Sequence, residues 1–349
     1  MKTKTKKLIA RLAIGHQLTK GEYRHLVKNY SAEVLGYISP LALEAKKSIY
    51  GNDIYIRGLI EISNICKNDC IYCGIRASNK NCNRYRLTKE QIMSCCKNGY
   101  ELGFRTFVLQ GGEDMHYSDE VLCDIVKSIK DNYPDCAVTL SMGERSLESY
   151  RRLKDAGADR YLLRHETADR RHYQKLHPNK MSFDNRMECL KNLKELGYQV
   201  GCGFMVGSPY QKARHIAKDL KFIETFSPHM CGIGPFIPHK DTPFKDYPAG
   251  DVGFCIYLLA IIRLIKPNIL LPATTALATL SDDGRERAIM SGANVVMPNL
   301  SPDDAKKNYN LYNGKKATGL EAAEHLENLK EQLQSADANI VCNRGDMKG

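Results

Sequence analysis

The chain has 349 residues, 43% of them hydrophobic, and 51 Lys and Arg against 40 Asp and Glu, for a net charge of +11. That length is too great for a small module and suits one large α/β barrel or two ordinary domains, with enough apolar material for a sizeable core. The composition argues against a membrane span, since the best candidate, FCIYLLAIIRLI, is short and carries Arg263. It argues equally against a nucleic-acid binder, because the positive charge is spread along the chain with only a modest cluster at Lys2, Lys4, Lys6 and Lys7.

Residues 1–50 read as a helical N-terminal extension, with apolar spacing in LIARLAI and in AEVLGYISPLALEAKKSI. The opening MKTKTKKLIARLAIG lacks a long apolar run and a small-residue cleavage site, so it reads as an amphipathic helix and not a signal peptide. From residue 51 to 335 the pattern alternates. Strand-like runs are IRGLIEIS, RTFVLQ, AVTLS, RYLLRH, QVGCGFMVG, HMCGIGPF, ILLPA and NVVMPN, separated by helix-period segments such as TKEQIMSCCKNGYEL and SDEVLCDIVKSIKDNY. Eight strands alternating with helices predict a parallel sheet, and closed on itself this is an α/β fold of the (β/α)8 TIM-barrel type. Thr88 with Gln91 predicts a capping box, and Ser182 stands where an N-cap belongs. The endings ELGF, DAGA, ELGY and MSGA put a glycine at each helix C-terminus just before a strand. ATGLEAAEHLENLKEQLQ reads as the last outer helix, and residues 336–349 as a loosely held tail.

Thirteen cysteines is a high and odd count. Most, such as Cys123, Cys189 and Cys255, stand alone in apolar runs, as buried free thiols do. A reducing, cytoplasmic and low-oxygen setting is expected. Cys66, Cys70 and Cys73 differ: CKNDCIYC packs three thiols into eight residues directly after the first barrel strand. The loops after barrel strands converge on one face, where sites are built. A structural zinc wants four protein ligands, usually as two pairs, and the second pair is missing. Three thiolates suit a 4Fe–4S cluster with one iron left open to a small molecule. QGGED ends the second strand, where a plain Gly-Gly turn is the ordinary reading. RHET ends the fourth strand with a dense polar set, costly to bury unless paired.

CxxxCxxC in this position resembles the radical S-adenosylmethionine (radical SAM) enzymes. The resemblance implies that the open iron chelates the amino and carboxylate groups of S-adenosylmethionine, and that cluster reduction releases a 5′-deoxyadenosyl radical. It implies cluster ligation by Cys66, Cys70 and Cys73, an aromatic Tyr72 beside the third, and a GGE-type turn of Gln110, Gly111, Gly112 and Glu113 for the methionine amino group. It makes Arg186 a ligand for the methionine carboxylate, where the residues alone suggest an exposed helix arginine, and adds Glu166 to the same site.

NRYRLTKEQI, LQGGED, DRYLLRHET, SFDNRMECLKNLKELGY, GIGPFIPHKDTP, PATTA and GANVVMPN together resemble the HydE family of FeFe-hydrogenase maturases, from about residue 50 to 315. The family implies an iron–cysteine complex bearing CO and cyanide as substrate, attacked by the radical at the cysteine sulfur on the way to the diiron unit and its dithiomethylamine bridge. It implies companion maturases and a reductant such as ferredoxin or flavodoxin. By resemblance Arg164, Glu166, Thr274 and Thr275 are catalytic, and Thr139, Arg160, Met230, Met297 and Tyr312 join the cofactor and substrate cavity. Taken singly, Arg160 reads as a salt-bridged start-of-strand residue, the threonines as helix caps and Met297 as core.

Biotin synthase and methylornithine synthase are the neighbouring readings. The first needs a second cluster deep in the barrel, and Cys136, Cys202 and Cys231 read better as buried free thiols. The second resembles the chain in NRYRLT and GED, without RHET, GPFIPH and PATTA as a set. The extra C-terminal cysteine pair of some HydE proteins is missing here, where Cys342 stands alone, so one cluster is expected. A basic iron–sulfur or zinc protein that binds nucleic acid without chemistry is the non-enzyme alternative.

Overall fold

The computed structural model describes residues 1–316, 326–334 and 337–349. Three helices lead, α1 (Thr3–Gly15), α2 (Lys20–Lys28) and α3 (Ala32–Tyr50). Then come β1 (Asp53–Ile56), β2 (Gly58–Ser63), α4 (Lys89–Glu101), β3 (Thr106–Gly111), α5 (Asp119–Asn132), β4 (Ala137–Ser141), α6 (Leu147–Asp155) and β5 (Arg160–Leu162). Next are α7 (Arg170–Leu176), α8 (Phe183–Glu195), β6 (Gln199–Cys202), β7 (Met205–Val206), α9 (Ala213–Phe226), β8 (Met230–Cys231), β9 (Gly234–Pro235) and α10 (Val252–Ile265). The last are α11 (Thr275–Leu280), α12 (Gly284–Ile289), β10 (Val295–Val296), α13 (Asp303–Asn308), α14 (Leu326–Gln334) and β11 (Asn339–Val341).

Six strands pair in parallel in the order β2-β3-β4-β5-β6-β8. Isolated bridges carry the ring onward, Met230 to Leu270 and Pro272 to Val295, and Leu59 to Asn299 closes it on β2. The expected alternation of eight strands is therefore a closed α/β barrel, although ILLPA contributes bridges and no strand of its own. QVGCGFMVG and HMCGIGPF each split into two short strands where glycines let the chains touch: a Cβ on Gly203 would lie 2.0 Å from the Gly232 carbonyl oxygen.

The helix boundaries follow the sequence signals. Thr88 Oγ1 accepts from the Gln91 amide while the Gln91 side chain accepts from Thr88, and Ser182 Oγ accepts from Asn185, each cap worth about 1 kcal/mol. Gly103, Gly157, Gly197 and Gly292 all take positive φ at the helix-to-strand turns, a conformation that favours glycine. The apolar outer faces of the strands and the inner faces of the helices form the main core. α2 packs on α9, with Tyr23 donating to Glu224, and α3 packs on α10.

Two features depart from expectation. NDIYI forms β1, which pairs with both β10 and β11. The tail is not loose: β11 runs parallel to β1, and the residues beyond it cross the N-terminal end of the barrel. There Arg160 donates to Asp346 Oδ1 (2.5 Å), the Arg344 carbonyl (2.6 Å), Thr106 Oγ1 (2.9 Å) and Gln199 Oε1 (3.1 Å). Of the last outer helix, residues 326–334 form α14 and its earlier part lies outside the described residues. Among the described residues no helix is long and apolar enough to cross a membrane.

Candidate active site

The cysteine loop follows β2 and makes few regular backbone pairs, so side chains must satisfy its carbonyls. Arg84 does most of this, donating to the carbonyls of Asn64 (2.5 Å), Ile75 (2.9 Å), Arg76 (2.7 Å) and Asn79 (3.0 Å). Asn64 ties the loop to Asn83 (2.7 Å) and to the carbonyl of Asn308 (2.8 Å), and Asp69 clamps Arg76 bidentately. Within this frame Cys66, Cys70 and Cys73 are half-buried. Cys66 Sγ accepts from the Asn68 amide (3.4 Å), and Cys70 Sγ lies 3.7 Å from Met181 Sδ. Burial pushes the thiols up, Cys73 to about 12, and the field of one thiolate on another adds to the rise.

Three mutually repelling, poorly solvated thiolates form a donor set that needs positive charge, and this is the test a cluster site must pass. Among the described residues no three acidic, His or Cys side chains converge as a single-ion site does. In a cluster the thiolates take separate irons and need not converge on one point. The donor set fits a 4Fe–4S cluster.

The neighbouring strand ends converge on these thiols. A Cβ on Gly112 would lie 2.2 Å from the Ile65 carbonyl oxygen and 2.8 Å from Cys66 Cβ, so glycine is what lets β3's turn approach the cysteine loop. Glu113 Oε1 accepts from the Glu144 amide (3.1 Å), with Lys67 3.4 Å from the other oxygen. Gly143 has φ +76°, and a Cβ there would strike Glu113 at 2.0 Å. Gln110 reaches Tyr309 (3.4 Å), and Tyr72 contacts His177 Nε2 through its hydroxyl (3.3 Å).

After β5, Glu166 takes a left-handed backbone (φ +60°) and its amide donates to the Gly203 carbonyl (2.9 Å). Arg164 Nε lies 3.4 Å from Glu166 Oε1, outside good hydrogen-bond geometry. Glu166 Oε2 and Arg164 Nε and Nη2 are buried without hydrogen-bond partners. Buried, unspent donors and acceptors of both signs suit a zwitterionic ligand. Arg186 is buried, not the exposed helix arginine the residues alone suggest. It donates to Glu144 Oε1 (2.5 Å) and to the Arg164 carbonyl (2.5 Å), tying α8 to the RHET turn. Thr274 N-caps α11 without a side-chain capping bond, its Oγ1 3.4 Å from the Ile233 carbonyl, and Thr275 begins the helix. Tyr312 is half-buried, its phenol pushed up by desolvation, and it feels the charges of Glu61 and Arg164.

The remaining expected residues lie apart. Thr139, Arg160 and Met230 line a small enclosed cavity with Arg57, Gln199 and His229. Met297 packs against the apolar cluster that contains Met230 and Leu162. Arg160 starts its strand, and its donors are taken up by the tail, Thr106 and Gln199, as in the salt-bridged reading. These four belong to the barrel's inner floor. Cys136, Cys202 and Cys231 are buried free thiols.

Sequence reasoning missed Glu61. It is fully buried on β2, accepting from Lys315 Nζ (2.5 Å) and Asn299 Nδ2 (2.9 Å), and an acid inside the apolar run IRGLIEIS is the signal that could have found it. It also missed Arg84, which gathers carbonyls of its own folded loop, and Glu144 and Asp219, whose partners lie farther away in sequence.

Residues 60–223 match the sequence profile of the Radical SAM superfamily. The chain is 46% identical over 275 residues, 79% of its length and 78% of the relative's, to the [FeFe] hydrogenase maturase subunit HydE of Thermotoga maritima. The chain belongs to the HydE family of radical SAM enzymes. A 3-methylornithine synthase of Methanosarcina acetivorans is 30% identical over 84% of this chain and 82% of its own. Among solved structures, methylornithine synthase (PylB) superposes with a TM-score of 0.83 at 26% identity over 96% of this chain and 97% of that one. HydG, a maturase of the [FeFe]-hydrogenase, shares the fold at a TM-score of 0.79 and 24% identity, over 94% of this chain and 75% of that one. As a HydE-family enzyme the protein uses a 4Fe–4S cluster and S-adenosylmethionine.

Proposed function

We propose that this enzyme is a maturase of [FeFe]-hydrogenase, acting on an iron-bound cysteine that carries CO and cyanide. The observation that carries the reading is the 46% identity to HydE of Thermotoga maritima over 79% of the chain, against 30% to methylornithine synthase. Cys66, Cys70 and Cys73 hold the cluster. When bound, a 4Fe–4S cluster there would supply the one-electron chemistry that cleaves S-adenosylmethionine to the 5′-deoxyadenosyl radical directed at the cysteine sulfur of the iron complex. Glu113 and Glu166 offer carboxylates to the methionine ammonium, and Arg186 offers cationic charge to its carboxylate. Arg164, Thr274 and Thr275 would offer hydrogen-bond donors to the carboxylate or cyanide of the iron complex, with Tyr312 beside them. The barrel wall excludes water, which protects a primary carbon radical from side reactions.

The test is complementation. Added to a hydrogenase maturation mixture lacking HydE, the protein is expected to restore hydrogen evolution, and Cys70→Ser to abolish it. Cleavage of S-adenosylmethionine without restoration would remove the maturase assignment, and conversion of lysine to methylornithine would replace it.

A further inference from the structure

A surface cleft between α7 and α9 is lined by Asp169, Arg170, Arg171, Arg214 and Lys218. Its one carboxylate is engaged, Asp169 Oδ2 lying 2.6 Å from Lys218 Nζ. Arg170 pairs with Asp184 on α8. Arg171 and Arg214 are exposed, and among the described residues no carboxylate lies within ion-pair distance of either. Lys175 adds a further cation over the ring of the exposed Tyr210. The cleft therefore presents unspent positive charge.

What lies beneath this face distinguishes it from an ordinary solvated basic patch. Arg170 stacks over Phe183 (5.0 Å), and Phe183 meets Tyr173 edge-on (5.6 Å). Tyr173 stacks on His177 (3.9 Å), and His177 meets Tyr72 edge-on (5.5 Å). Tyr72 directly precedes Cys73. The Ile71 amide also donates to the Leu176 carbonyl at the end of α7 (2.9 Å). Tyr173 and His177 are buried. One layer of packed rings, half-buried at Phe183 and Tyr72 and buried at Tyr173 and His177, thus joins the charged surface to the cysteine loop.

We propose that the α7–α9 face is the docking surface for an acidic one-electron carrier protein that reduces the cluster site. The inference rests on the radical SAM reading of that site and adds where the electron enters. The balance is simple. The carrier is oxidised by one electron, which pairs on the methionine sulfur with one electron of the breaking sulfur–C5′ bond, and the other bond electron stays on the adenosyl carbon. Charge complementarity selects an acidic partner and speeds its encounter. A single-stranded RNA would also favour cations beside Tyr210, but RNA has no use for the ring layer leading to Cys73, so the carrier is the occupant the observations favour.

The experiment uses the full chain with reconstituted cluster and the double variant Arg171→Glu/Arg214→Glu, with an acidic flavodoxin as probe. Calorimetry at low salt is expected to show flavodoxin affinity falling about tenfold or more in the variant, with the gap narrowing as salt shortens the Debye length toward about 8 Å. Flavodoxin-driven cleavage of S-adenosylmethionine is expected to fall in parallel, while dithionite-driven cleavage and the melting temperature stay at wild-type values. Unchanged flavodoxin affinity overturns the proposal, as does a charge reversal that weakens binding of a single-stranded RNA and spares flavodoxin. If flavodoxin binding responds as expected but no hydrogenase is matured, the docking surface stands and the maturase reading falls.

Discussion

Asp219 of α9 accepts the amide hydrogen of Ala168 on Oδ1 at 2.5 Å, across fifty-one residues of chain. The same oxygen lies 3.5 Å from His165 Nε2, and both side chains are fully buried. An outer helix thus pins the turn that carries Arg164 and Glu166 into the barrel mouth and holds Glu166 in its left-handed conformation. Asp219→Ala leaves a buried amide unsatisfied, which costs about 1–3 kcal/mol, and frees the turn. S-adenosylmethionine affinity measured by calorimetry is expected to fall several-fold, with Asp219→Asn between the two. Wild-type affinity in the Ala variant would mean that Asp219 secures only the outer layer.

His165 gives a pH dependence. Burial pushes its pKa down to about 3, so it is neutral in the fold, while the unfolded chain regains the ordinary value of about 6.5. The unfolded state therefore binds the proton first. The contribution of a neutral His165 to stability is complete above about pH 6.5 and is lost as pH falls toward 3. Between pH 7 and pH 5 this amounts to about 2 kcal/mol. Anaerobic urea denaturation at the two pH values should show the drop in the wild type and a flatter response in His165→Gln. Equal slopes would show that other groups govern acid sensitivity.

The cysteine assignment predicts that Cys66→Ala fails to retain a full cluster after anaerobic reconstitution. Of the thiols nearby in sequence, Cys95 and Cys96 are buried on α4. Cys82 shares the loop, accepting from Asn64 Nδ2 at 3.4 Å. It is the substitute to control for, so iron should be counted in Cys66→Ala with and without Cys82→Ser. A full complement of iron in the double variant would remove Cys66 from the ligand set.

Arg186→Ala removes charge-assisted hydrogen bonds at the ligand end of α8, worth about 1.5–3 kcal/mol, or roughly ten- to hundredfold in S-adenosylmethionine affinity. Arg186→Lys should recover part of this, since it restores charge without the fork that spans Glu144 and the Arg164 carbonyl. Unchanged calorimetric affinity in the Ala variant would leave Arg186 as a purely structural tie.

The barrel was legible because its signals are local. Strand-length apolar runs and period-3.6 segments, the Thr88 capping box and the four helix-ending glycines each act within a few residues. The cysteine spacing was legible for the same reason. What stayed hidden depends on contacts distant in sequence or on the shape of a loop once folded. Glu61 finds Lys315 across 254 residues. The strand NDIYI gains its meaning from β11, and Arg84 earns its place by collecting carbonyls from a folded loop. The sequence reads Arg160 as a salt-bridged residue at the start of its strand and Arg164 as part of the turn that ends it, but only the fold shows that the tail supplies the partners of the first.

That tail carries the last prediction. Arg57 and Arg160 are both buried at the floor of the barrel. Arg57 donates to Met230 Sδ (2.9 Å) and to the Gly345 carbonyl (3.3 Å), neither of which is anionic, and its Nε has no hydrogen-bond partner. Asp346 is the carboxylate that Arg160 bonds, and Arg344 holds Asp346 in place while pairing with Asp159. Asp346→Asn keeps the shape and removes the charge, leaving two buried guanidiniums without that compensation. Because Asp346 is 39% exposed, water recovers part of the loss, and a destabilisation of about 1–3 kcal/mol is expected, short of the cost of a fully buried broken pair. The thiols stand at the other end of the strands, so S-adenosylmethionine affinity should stay within twofold of wild type. Urea denaturation and calorimetry on one preparation separate the two readouts. Lost affinity with stability intact would return Arg160 to the ligand side, where the family resemblance puts it.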